Sequence, residues 1–81
     1  MDDSSLTTLS HYGVINYHLG SSNFRHYLEA ERYLEKARTL NSDDIITMNY
    51  LASTYGYTGK AQKGLDILDE LDVMIDRKSV V

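Results

Sequence analysis

Apolar residues recur at spacings of three and four along most of the chain, and short polar clusters separate the periodic runs. Leu6, Leu9, Tyr12, Gly13, Asn16 and Tyr17 share the face of a first predicted helix that ends at Leu19 and Gly20. The connector SSNF, residues 21 to 24, precedes a second helix that the spacing of Tyr27, Ala30, Tyr33, Leu34, Ala37 and Leu40 predicts over 27 to 40. On its other face Glu29 and Arg32, Arg32 and Glu35, and Glu35 and Arg38 stand at i,i+3, which predicts a solvated surface laced with weak ion pairs. The cluster NSDD, residues 41 to 44, stops that helix, and its short polar side chains are suited to capping a third, from Ile45 to Gly59. A fourth helix starts near Ala61 and carries Leu65, Leu68, Leu71, Met74 and Ile75 on one stripe before a fraying end from Asp76. Residues 1 to 5 are polar and expected to be disordered, with Ser4 or Ser5 placed to cap the first helix.

The composition supports this reading. Proline is absent, so only glycine and the Ser/Asn/Asp clusters interrupt helices, and the expected fold class is all-α. With 81 residues the chain is one small domain, and a chain of this size buries only ~60–65% of its unfolded surface. It contains no cysteine, so disulfides and thiolate metal ligands cannot reinforce it, which fits a reducing compartment. A net charge of −4 leaves no basic field for nucleic acid. No apolar run approaches the ~20 residues that span a bilayer, and the acidic start MDDSS does not resemble a signal peptide. A soluble, cytoplasmic protein with no nucleic-acid or membrane partner is expected.

The helices also repeat. A shift of 34 residues pairs Ala30 with Gly64, Leu34 with Leu68 and Ala37 with Leu71, and a shift of 39 pairs Tyr12 with Leu51, Gly13 with Ala52 and Gly20 with Gly59. The five extra residues fall near 22 to 26. This register resembles the tetratricopeptide repeat. Leu51, Ala52 and Tyr55 stand at the Leu, Gly and Tyr positions of its helix A, Gly59 at the turn, Gly64 at the close-packed small position and Leu68 at the large apolar one. Leu71 replaces the usual alanine. In the first copy Asn16 stands where an aromatic is usual and Ser42 at the usual proline. The resemblance covers residues 6 to about 78. It implies two helix-turn-helix repeats, 6 to 44 and 45 to 78, forming a four-helix fragment of a right-handed α-solenoid, with a short tail at 79 to 81.

Candidate chemistry is sparse. The stretch GYTGKA, residues 56 to 61, suggests a phosphate-binding loop, but that loop needs four residues between its glycines and a Ser or Thr after the lysine. Here Tyr57 and Thr58 alone separate the glycines and Ala61 follows Lys60, so Gly59 is expected to permit a left-handed helix end and Lys60 to be solvated. His11, His18 and His26 invite a metal reading, yet no His-x-x-x-His or Glu-x-x-His pair tightens it. No nucleophile elbow and no acid pair outside solvated faces suggests hydrolysis, and Asp66, Asp69, Glu70 and Asp72 read as a solubilising flank. Catalysis, metals and cofactors are therefore not expected.

Seven tyrosines without a tryptophan carry more weight. Tyr12, Tyr33, Tyr50 and Tyr55 lie on or beside apolar stripes and are expected in or at the core. The family resemblance places Tyr17 and His18, together with Ser10 and Val14, on the inner face of the first A helix, and Asn49, Ser53 and Tyr57 on that of the second. It implies a groove there that binds a segment of another protein, with Tyr17, His18, Asn49, Ser53 and Tyr57 as the site. Ser10 and Val14 occupy two positions of the family's carboxylate clamp, so a chaperone's C-terminal tail is not the expected ligand.

Two repeats are fewer than the three such arrays usually need. The stripe Leu65, Leu68, Leu71, Met74 and Ile75 is wide enough to want a second neighbour, which predicts a homodimer, most simply C2 through the last helix, or an obligate hetero-complex. The function expected is a non-catalytic protein-binding adaptor. A chaperone-like subunit of a bacterial secretion or pilus-assembly system is an alternative, and a metal-binding regulator or enzyme subunit is one from another class.

Overall fold

The computed structural model describes residues 6–79, with side chains through Asp76. Four helices follow one another, α1 (Leu6–Leu19), α2 (Arg25–Leu40), α3 (Ile45–Tyr57) and α4 (Ala61–Ser79), and the described residues contain no strand. The all-α class and the order of helices are those predicted. Helix α2 starts two residues earlier than its apolar stripe suggested, because the Asn23 side-chain oxygen accepts the Arg25 N–H at 3.1 Å and organises the first turn from the connector. Helix α4 runs through Ser79, past the predicted fraying point. The predicted caps Ser4 and Ser5 and the last two residues lie outside the described residues.

Helix α1 packs on α2, α3 on α4 and α2 on α3, α1 runs along α3, and α1 and α4 do not meet. A closed four-helix bundle would bring its first and last helices together. Here two hairpins stack as an open ladder measuring 42 × 33 × 16 Å. Its thin dimension suits two helix layers whose axes lie ~8–10 Å apart.

The core comprises Ala30 and Leu34 from α2, Met48, Leu51, Ala52 and Tyr55 from α3, and Ile67 and Leu71 from α4, with Tyr17, Ile45, Tyr50 and Met74 packed against it. Glycines allow the hairpins to close. A Cβ on Gly13 would sit 2.5 Å from the Leu34 side chain, and one on Gly64 would sit 2.8 Å from the Ala52 carbonyl oxygen. Gly59 takes the left-handed conformation expected of it, with φ +80°, where a side chain would be strained.

The stripe predicted on α4 needs correction. Its buried line is Gly64, Ile67 and Leu71, with Met74 half-buried beside it. Leu71 is inside the core and so not open to a partner, Met74 is half-buried against it, and Leu65, Leu68 and Ile75 are exposed. Ile67, 2% exposed, was hidden from sequence by its leucine neighbours. Positions 64, 67, 71 and 74 share a face as well as 65, 68 and 75 do, and only the position of α3 decides between them.

The charged face of α2 is likewise more than a solvated surface. Arg32 pairs with Glu29 at 3.1 Å as predicted, but Arg38 reaches Glu70 of α4 and Glu35 accepts the Tyr55 hydroxyl at 2.5 Å. Glu31 is buried. Its carboxylate accepts the Thr58 hydroxyl at 2.6 Å and the Lys60 ammonium at 2.5 Å, so Lys60, exposed as expected, also anchors the turn to α2. Burial alone would raise the Glu31 carboxyl, but the hydrogen bonds from Lys60 and Thr58, with the charges of Lys60 and Lys63, outweigh it and hold the group below its ordinary value. The hydrogen bond to Glu31 foremost holds Lys60 above its own ordinary value.

A carboxylate depressed in the folded state stabilises it above the unfolded pKa, and that contribution is lost as pH falls through the folded pKa. The raised Lys60 acts on the other side, contributing fully below its ordinary value and losing its effect as pH rises past the raised one. Glu31→Gln should therefore lower stability at neutral pH by about 1 kcal/mol, since Lys60 is half-exposed and screened, and should flatten the acid limb below about pH 5. Thermal unfolding of both proteins from pH 3 to 8 checks this; parallel acid limbs would contradict it.

Candidate functional site

The site builds up from how α1 and α3 lie together. Thr47, fully buried at the start of α3, donates its hydroxyl proton to the Asp44 carboxylate at 2.5 Å. A hydroxyl has one proton to give, so Ser10 of α1 is the donor in the 2.8 Å bond between Ser10 and Thr47. This polar link fixes the two helices at one end. At the other, aromatic rings lock them.

Tyr17 is the hub of that aromatic cluster. Its ring meets those of His18, Tyr27, Tyr50 and Tyr57 at 5.2–6.1 Å between centroids, each edge-on. His18 also meets Tyr50 at 5.8 Å, and Phe24 meets Tyr27 at 5.9 Å. Tyr27 and Tyr57 stack face to face at 4.3 Å with 5° between planes. Burial first, then the neighbouring Tyr57 and Tyr17 hydroxyls, push the Tyr27 hydroxyl pKa above its ordinary value. Tyr27 is buried, Tyr17 and Tyr50 are half-buried, and Tyr57 and Phe24 are 53% and 54% exposed. Edge-on and stacked pairs of this kind contribute ~0.5–1.5 kcal/mol beyond the area they bury, so the rings hold one another while part of the patch stays exposed.

Of the five predicted groove residues, the structure joins Tyr17, His18 and Tyr57 in this cluster. Asn49 and Ser53 do not enter it, but with Tyr57 they stand at i, i+4 and i+8 along the exposed face of α3. The face continues past Ser10 and Val14 into a shallow apolar concavity at the far end, which Leu6, His11, Ile15 and Ile46 also line. Aromatic rings at one end, amide and hydroxyl groups between, and aliphatic side chains at the other make a strip that offers both burial and hydrogen bonds.

Tyr27, Tyr50 and Phe24 join the aromatic cluster, although the sequence did not place them in the groove. Tyr27 and Tyr50 sit beside apolar stripes and read as core, and Phe24 lies in a connector. The signal was that the end of α1, the start of α2 and the end of α3 each carry an aromatic, which a hairpin and a stacked repeat bring together. Among the described residues no group of three or more His, Cys, Asp or Glu side chains is placed to hold a metal ion. The His26 ring nitrogen Nδ1 instead shares a 3.0 Å hydrogen bond with Asn16 Oδ1. No described helix is long and apolar enough to cross a membrane.

Comparison with known proteins returns no matching family, no matching curated protein and no matching solved structure.

Proposed function

We propose that the chain is a small tetratricopeptide-like adaptor that binds a segment of another protein across the α1/α3 face and performs no chemistry. The observation that carries this reading is the half-exposed aromatic cluster around Tyr17, continuous with the exposed Asn49 and Ser53. Rigid tyrosines offer large contact area at little entropic cost, and flanking amides and hydroxyls can pair with an extended backbone. A cytoplasmic setting fits a chain without cysteine. The exposed leucines of α4 suit self-association or an obligate partner.

Selection of peptides from a displayed random library tests the reading. Peptides enriched on the wild-type chain should bind Tyr57→Ala and Ser53→Arg about 10- to 30-fold more weakly. Both variants should keep the wild-type helicity; Ser53→Arg, at an exposed position, should also keep the melting temperature, whereas Tyr57→Ala loses its ring contacts with Tyr27 and Tyr17 and should melt somewhat lower. No enrichment, or equal binding to both variants, would contradict it.

A further inference from the structure

The junction between the two repeats is a template for the outer faces of α1 and α4. Inside the molecule α2 of the first copy meets α3 of the second. Leu34 and Leu51, 0% and 1% exposed, lie in the core there, Glu31 accepts from Thr58 and Lys60, and Glu35 accepts from Tyr55. Helices α1 and α3 start 39 residues apart, at Leu6 and Ile45, and the positions 34 apart in α2 and α4, Ala30 with Gly64 and Ala37 with Leu71, are buried in both copies. Within the helices the sequence register therefore holds in three dimensions, while the turns differ, Gly59 being left-handed and Gly20 not.

Carrying the junction outward by these shifts gives the residues that a further copy would meet. Leu34 becomes Leu68 on α4, 43% exposed, and Leu51 becomes Tyr12 on α1, 48% exposed. Glu31 becomes Leu65 while Thr58 becomes Leu19, both exposed, so a polar pair turns into an apolar pair on both sides together. Lys60 becomes Ser21, so the ammonium disappears where its carboxylate does. Glu35 becomes Asp69 and Tyr55 becomes Asn16, which keeps an acceptor opposite a donor. An uncovered face of α4 alone would not foretell what stands on α1. The matched change at opposite ends of the molecule names the occupant.

We infer that the chain associates with itself head to tail, α1 of one copy docking on α4 of the next as α3 docks on α2 within each copy. The contact is heterologous, so it extends into open stacks or closes into a ring, unlike a C2 dimer through α4. The inference holds whether or not the α1/α3 face takes a peptide.

Leu68→Asp and Tyr12→Asp distinguish these arrangements by light scattering over a hundredfold dilution. The wild-type chain should grow beyond a dimer with concentration. Each variant alone should be monomeric, its self-association weakened at least about 30-fold. An equimolar mixture should recover a heterodimer and stop there, because the intact Tyr12 of one docks on the intact Leu68 of the other. Tyr12 also packs on Tyr33, so Leu19→Asp and Leu65→Asp serve as a second pair, with helicity verifying the fold of all four. A C2 dimer that survives Tyr12→Asp and Leu19→Asp overturns the inference. So does a helical monomer at every concentration, the result expected if another segment or protein covers α4.

Discussion

Gly64→Val should lower the free energy of unfolding by about 3 kcal/mol or more, a large share of what a domain of this size has. A Cβ at this position meets the Ala52 carbonyl oxygen at 2.8 Å, and a backbone atom inside α3 cannot move aside as a side-chain tip can. The α3–α4 spacing would have to widen, opening the contacts of Ile67 and Leu71 with the core. Gly56→Ala is the control. Gly56 lies in the last turn of α3, and a methyl added there would meet nothing within 4 Å, so alanine should be neutral or stabilising by up to ~1 kcal/mol through helix propensity alone. Chemical denaturation of the two variants checks both signs, and equal effects would show that α3 and α4 do not approach closely at Gly64.

Leu34→Ala should cost about 3–4 kcal/mol. The side chain is fully buried where α2 is enclosed by α1 and α3, and the glycine opposite it cannot fill the space left behind. That glycine gives the substitution a second, more specific consequence. A Cβ on Gly13 would lie 2.5 Å from Leu34, so Gly13→Ala alone should destabilise by ~1–3 kcal/mol, but in the Leu34→Ala background the methyl enters the vacated space. A double-mutant cycle should therefore show a favourable coupling of ~1–2 kcal/mol. Additive effects would mean that the two residues are not in contact.

The helices were legible in the sequence because their signals agree: uninterrupted apolar periodicity, no proline, and turn residues between the runs. What escaped were the hydrogen bonds, ion pairs and burial set by partners distant in the chain. Glu31 looks like one acid among several on a charged helix, and only Thr58 and Lys60, 27 and 29 residues away, make it a buried anchor. Arg38 had a plausible partner one turn away in Glu35, yet pairs with Glu70. On α4 the periodicity permits two overlapping apolar faces, and the sequence offers no means to prefer Ile67 over Leu65 for the core. The candidate site was half legible for the same reason. Tyr17, His18, Asn49, Ser53 and Tyr57 follow from the repeat register, whereas Tyr27, Tyr50 and Phe24 join them only through the closing of the α1–α2 hairpin and the stacking of α3 on it.

The measurement that bears most directly on the function is the backbone amide spectrum of the isotopically labelled chain, titrated with a peptide enriched by selection. Binding across the α1/α3 face should shift resonances chiefly at Tyr17, His18, Asn49, Ser53 and Tyr57. Shifts confined to the outer face of α4 or to the charged side of α2 would contradict that and place recognition on another surface.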